Sequence, residues 1–336
     1  MRYIDIERVN TGMKVAKAIL NESGGILVNK DVILKEPLIT KIRDRGYAGI
    51  YIEDALSEDI SMDQLISDET TQQAVGALKN LNVDNALESA EKIADEIFAM
   101  PDISLDMVSL RSKSDSTYLH SVNVAIYSVV IGIGMGLKKG ILKELSASAL
   151  LHDIGKIQIP TRILEKPGKL TIEEYEMIKK HSEYGYELLK DHVFLTSKIK
   201  MGVYMHHENV DGSGYPLGLR EHQIYQFAKI IHIADVYDAL SSERSYKKAI
   251  LPGECSQYLM NQAGKMFQPE IVRIFLDCVP VYPKGRTVRL NTGEKAVVVE
   301  NKQHHTLYPV IRLFDGTTID LSEENEEELE IVEILL

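Results

Sequence analysis

Cysteine is nearly absent: Cys255 and Cys278 are the only two in 336 residues. Neither belongs to a paired metal-ligand spacing. That argues against a disulfide framework and a thiolate zinc site, and for reduced thiols in a cytosolic protein. Basic residues are outnumbered, 38 Lys and Arg against 50 Asp and Glu, for a net charge of −12. A general binder of nucleic-acid polymers or of membrane surfaces would show a basic excess, so neither is expected. An anionic ligand would have to be drawn in by local cations. Long apolar runs are missing too. The most apolar stretch, Val122 to Leu137, is about 16 residues long and contains Asn123 and three glycines. It is too short for a membrane span and predicts a buried helix. The first residues, Met1-Arg2-Tyr3-Ile4-Asp5-Ile6-Glu7, lack the apolar run of a signal peptide, so a cytoplasmic location is expected.

What is present is ordinary globular composition, 44% hydrophobic and 26% charged, in a chain long enough for two or three domains. Residues 1 to about 55 read as a small α/β module. Tyr3-Ile4-Asp5-Ile6, Val15 to Leu20, Gly25 to Val28 and Ile50-Tyr51-Ile52 look like strands, and Pro37 opens a helix to about Arg45. Residues 60 to 100 are acidic and helical. Ala86, Ala90, Ile93, Ala94 and Ile97 form one apolar stripe, which either packs on the next domain or also pairs with a second copy as a homodimer contact. From about 107 to 280 the pattern is helical, and Thr171-Ile172-Glu173-Glu174 is a capping-box start for the helix carrying His181. Beyond Pro280 and Pro283, the segments Arg286 to Leu290, Ala296 to Glu300, Val310 to Phe314 and Thr317 to Leu321 alternate as strands, with a hairpin at Asp315-Gly316. The glutamate run Glu323 to Glu330 reads as a solvated loop.

The chemistry concentrates in two segments. One is His152-Asp153-Ile154-Gly155-Lys156. The other, about fifty residues on, is His206-His207-Glu208-Asn209-Val210-Asp211-Gly212-Ser213-Gly214-Tyr215-Pro216. Hydrolysis of a phosphodiester needs a nucleophile, charge neutralisation and a stabilised leaving oxygen, and two metals about 3.5–4 Å apart supply all three. Imidazole and carboxylate donors without thiolates suit iron, manganese, cobalt or nickel.

These motifs resemble the two signatures of the HD-GYP family, a branch of the HD metal-dependent phosphohydrolases, over roughly Met107 to Asp277. The resemblance implies a mainly α fold. An HD-type helical catalytic domain (105–280) would follow a small N-terminal α/β module (1–57) and a helical linker (58–104), with a small β module (281–336) after it. It implies metal ligands at His120, His152, Asp153, His181, His206, His207 and Asp235, with Asp153 bridging two metals, most plausibly Fe or Mn. It implies phosphate contacts from Lys156 and Arg244, with Lys156 and Asp153 in the catalytic machinery. Tyr215 is expected to line the substrate mouth and Asp211 to stand among the substrate contacts, in a segment that also reads as a structural turn. For Arg244 to reach the site, the helix carrying Asp235 must end near Leu240, since nine residues at 100° each lead to its far side. Asp238, three residues after Asp235, is a candidate to fix the tautomer of a ligand histidine. His232 matches no family ligand, and His192, His222, His304 and His305 read as surface residues. Some members carry a glutamate four residues before the first histidine that helps bind a third metal; here that residue is Ser116, so two metals are expected. The implied activity is hydrolysis of cyclic di-GMP to pGpG, and then to GMP, by metal-activated water. Two alternatives stand beside it: hydrolysis of another cyclic nucleotide or dinucleotide, and a cyclic di-GMP receptor with little turnover.

Overall fold

The computed structural model describes residues 1–20, 25–47, 49–54, 56–60, 65–100, 117–166, 168–241, 250, 252–302, 305–323 and 329–335. Arg244, Ser116, His304 and most of the glutamate run lie outside them.

At the N-terminal end, β1 (Arg2–Asp5), β2 (Lys14–Val15) and β5 (Gly49–Glu53) form an antiparallel sheet of order β1-β5-β2. β3 (Ile19–Leu20) and β4 (Ile26–Val28) make a separate hairpin. The single strand expected from Val15 to Leu20 is therefore two strands in two sheets, divided by a bend at residues 16–17. Helix α1 (Glu36–Asp44), with Pro37 in its first turn, buries Ile39 and Ile42 in this small core.

Helices α2 (Asp68–Lys79) and α3 (Val83–Phe98) start at side-chain caps, Ser67 onto the Thr70 N–H and Asn82 onto the Asn85 N–H. Ala86, Ala90, Ile93, Ala94 and Ile97 are all buried, and α3 packs on α2, on α4 (Thr117–Gly134) and on α5 (Lys139–Leu151). The apolar stripe is thus covered within the chain. A homodimer through these helices would have to use their other faces.

α4 is the central helix. It packs against α2, α3, α5, α10 (Gln226–Ser241) and α12 (Pro269–Cys278), and residues Val122 to Ile131 are buried throughout. The apolar run is a core helix, and among the described residues no helix is long and apolar enough to cross a membrane. α9 (Ser197–Met205) packs on α5, α10 and α8 (His181–Leu189), α7 (Ile172–Lys179) joins α8 to α6 (Thr161–Leu164), and α11 (Pro252–Asn261) packs on α10 and α12. The Thr171 capping box is present, but it opens α7 alone. The chain breaks at Lys180 and His181 begins α8.

The C-terminal strands β6 (Thr287–Leu290), β7 (Lys295–Glu300), β8 (Val310–Leu313), β9 (Thr318–Asp320) and β10 (Ile331–Leu335) form one antiparallel sheet of order β10-β6-β7-β8-β9. The β8–β9 turn carries Gly316 at φ 96°, as the Asp-Gly signal requires. This sheet touches the N-terminal one: the Tyr3 N–H donates to Gly285 O at 3.0 Å, and Arg312 forms a two-point pair with Asp59, each contact 2.7 Å.

Candidate metal centre

Five structural segments meet at one buried point. α5 ends at Leu151, with His152 as its C-terminal cap and Asp153 in the turn that follows. A 3-10 turn, Ile154–Gln158, then carries Lys156. Helix α5 therefore does not run on from His152 to Lys156. Its end is fixed by Gly155: a Cβ there would lie 1.9 Å from His181 O and 2.4 Å from Gly185 N. Only glycine lets the turn lie against α8, and this contact sets His181 beside Asp153. α9 delivers His206 and His207 at its C-terminal end, α4 delivers His120, and α10 delivers Asp235.

The ligand atoms fall into two groups, His181, His206 and His207 on one side and His120, His152 and Asp153 on the other, each within 4.8 Å. The Asp153 carboxylate faces both. Oδ1 is 3.4 Å from His181 Nε2, and Oδ2 is 3.4 Å from His152 Nε2 and 3.8 Å from His120 Nε2. Asp235 also reaches both, with Oδ1 2.9 Å from His120 Nε2 and Oδ2 3.9 Å from His207 Nδ1. All seven residues implied by the resemblance are brought together.

The hydrogen bonds behind the histidines fix their tautomers. Nδ1 of His152, His181 and His206 each donates to a backbone carbonyl, Ala149, Ile178 and Val203, at 2.7 Å. Each Nε2 is then a lone pair aimed inward. His181 Nε2 and His206 Nε2 are only 3.1 Å apart. Burial, foremost, holds both imidazoles below their ordinary pKa, so neither gains a second proton to bridge the pair. Buried His152 Nε2 and Asp153 Oδ1 have no hydrogen-bond partner. Converging lone pairs and an orphaned carboxylate oxygen at full burial are costly unless a cation lies between them. The residues fit divalent metals.

Charge follows the same logic. Burial opposes the ionised form of Asp153, but Lys156 and His152 outweigh it and hold its carboxyl well below the usual range. Lys156 Nζ lies 2.5 Å from Asp153 Oδ2. His120, although buried, is pushed up to about 9 by Asp235 and Asp238. Asp238 accepts from His120 Nδ1 at 2.7 Å and from Asn123 Nδ2 at 2.8 Å, so it orients this ring as expected, and Asn123 orients Asp238 in turn. Asp238→Ala is expected to weaken metal binding roughly 10- to 100-fold with the fold intact, read by metal titration against a fluorescent chelator.

Glu208 was not singled out by its sequence position, yet it builds the mouth of the site. Its buried carboxylate accepts from the Leu217 N–H at 2.7 Å and the Leu219 N–H at 2.8 Å, clasping the loop after Tyr215. Gly214 allows the close approach: a Cβ there would meet Asn209 N at 2.2 Å and His207 O at 2.5 Å. The loop so folded stacks Tyr215 on His207, ring centroids 4.7 Å apart and 28° from parallel. His232 is a satisfied core residue whose Nδ1 donates to Glu208 O at 2.9 Å. Asp211 is exposed, and its carboxylate accepts from the Ser213 N–H and hydroxyl at 2.9 and 2.6 Å, closing the turn. His222 and His305 are exposed, and His192 pairs loosely with Asp84 at 3.4 Å. α10 is described to Ser241, and Arg244 lies outside the described residues.

Residues 105–271 match the family model described as HD domain. The chain is 33% identical over 266 residues to a cyclic di-GMP phosphodiesterase of Pseudomonas aeruginosa, covering 77% of this chain and 64% of that protein. It is 37% identical over 170 residues to a 3'3'-cGAMP-specific phosphodiesterase of Vibrio cholerae, covering 50% of this chain and 33% of that one. The chain thus spans less than two thirds of the length of either relative. In fold it is similar to an HDG"Y"P protein from Bdellovibrio bacteriovorus, with a TM-score of 0.55 at 16% identity over 81% of this chain and 97% of that one. Through residues 105–271, the chain belongs to the HD domain family, and it carries the paired motifs of the HD-GYP type.

Proposed function

We propose that this chain is a cytoplasmic metal-dependent phosphodiesterase that hydrolyses cyclic di-GMP to pGpG. The observation that supports this best is the Asp153 carboxylate, which offers one oxygen to each of two histidine groups. His120 and His152, and His181, His206 and His207, would hold two divalent cations, with Asp153 and Asp235 shared. Bound there, such cations supply charge neutralisation and an activated water nucleophile.

The chain's own residues do the rest. Backbone carbonyls hold the His152, His181 and His206 rings in the tautomer that leaves a lone pair free, and Asp238 orients His120. Lys156, a quarter exposed at its side chain, is placed to hold a non-bridging oxygen of the scissile phosphate as charge grows on it. Arg244 is proposed as the second phosphate contact. Tyr215 walls the mouth on the His207 side, and Asp211 supports that wall by closing its turn. Opening one phosphodiester of the ring gives the linear dinucleotide, and a second cleavage gives GMP.

Two metals per chain, iron or manganese, are expected by elemental analysis. A third would add a cation without a carboxylate to accompany it, since Ser116 stands where some relatives have glutamate. Ser116→Glu is expected to raise the content towards three. Chelation should abolish hydrolysis of cyclic di-GMP, and Mn or Fe should restore it. Hydrolysis that persists in the metal-free protein would refute the proposal.

A further inference from the structure

Outside the metal ligands, a second constellation extends from the site along α7. The Tyr215 ring, stacked on His207, lies 5.7 Å from Lys179 Nζ. The same ammonium lies 5.2 Å from the Tyr175 ring centroid and 2.5 Å from Glu176 Oε1. Tyr175 is 50% exposed, and α7 has no buried residue. Core packing does not account for a half-exposed tyrosine here. The helix is held at its start by the Thr171–Glu174 capping box and by Lys166 on Glu174. It presents two aromatic rings and a Lys–Glu pair on a path that begins at a metal ligand.

We propose that Glu176 and Lys179 form the nucleobase subsite of this centre, selective for guanine, with Tyr175 supplying π surface. The proposal rests on the reading of the site as a cyclic dinucleotide phosphodiesterase. Guanine offers an O6 acceptor next to an N1–H donor on one edge. An ammonium beside a carboxylate offers a donor next to an acceptor, which is the complementary order. Held in the orientation that guanine takes, adenine offers an N6 donor next to an N1 acceptor, so the same pair meets it donor to donor and acceptor to acceptor. Aromatic faces bind either purine, so they contribute affinity without choice, and the Lys–Glu pair carries the selectivity.

The test is the ratio of kcat/KM for cyclic di-GMP to that for cyclic di-AMP, measured for the metal-loaded wild type, for Lys179→Met and for the double swap E176K/K179E. The ratio is internal to each protein sample, so a loss of active fraction cancels. The wild type is expected to prefer cyclic di-GMP. Lys179→Met should lower the ratio roughly 5- to 150-fold, the discrimination carried by one good base-edge contact. The swap keeps both charges and reverses their order, so it should lower the ratio at least as far, towards the adenine substrate. A ratio that stays at the wild-type level in either variant, or a wild type that prefers cyclic di-AMP, overturns the subsite and leaves the hydrolase intact. A wild type that cleaves neither dinucleotide overturns the functional reading and the subsite with it.

Discussion

Asp153→Asn is expected to abolish measurable hydrolysis and to lower the metal content of the purified protein, while its circular dichroism stays native. The amide keeps the shape of the side chain but removes the negative charge that faces both histidine groups at 3.4 Å. It also turns one of two acceptor atoms into a donor, aimed at imidazole lone pairs or at a cation. Loss of a single oxyanion donor costs about 10²–10³ in rate. Loss of the shared ligand should cost more, because both cation positions depend on it. Near-normal turnover with full metal content would remove Asp153 from its assigned role. The fold should survive, since the burial of Asp153 is only part of a large core around α4.

Lys156→Ala carries the second large effect. The substitution leaves all seven proposed metal ligands in place and removes the ammonium beside Asp153. A transition-state contact to phosphate is worth about 2.7–4 kcal/mol in comparable oxyanion sites, so kcat should fall roughly 100- to 1000-fold with metal content retained. Arg244→Ala should behave in the same way. If Lys156→Ala instead loses its metals, the lysine serves to balance the charge of Asp153 and is not a phosphate contact. Single-turnover kinetics alongside elemental analysis separates these outcomes.

The candidate metal ligands were legible in the sequence because chemistry constrains their type and spacing. Imidazole pairs and carboxylates have few substitutes, and His152-Asp153 and His206-His207 stand in distinctive surroundings. The central helix was legible from its unbroken apolar run. Less legible was whatever depends on local competition among weak signals. Val15 to Leu20 alternates like one strand, but the bend at 16–17 sends its two halves to different sheets. The pattern from Thr171 to His181 reads as one helix, and the break at Lys180 gives no sequence signal of its own. The Gly155 contact with His181 was hidden because close approach of two backbones is a tertiary fact. Glu208 could have been suspected: a lone carboxylate between two ligands and a glycine-rich turn has unpaired backbone N–H groups within reach. Lys179 and Tyr175 could not, since their relation to Tyr215 appears only once α7 lies beside the loop.

Hydrolysis of a cyclic dinucleotide, and not binding alone, is what separates this centre from a receptor. The most direct measurement is to incubate the Mn- or Fe-loaded protein with cyclic di-GMP, other cyclic dinucleotides and cyclic mononucleotides, and to separate the products by chromatography. Cyclic di-GMP should be converted to linear pGpG, with conversion lost on chelation and restored by metal. Tight binding of cyclic di-GMP with no linear product, at full metal content, would contradict it and make the chain a receptor.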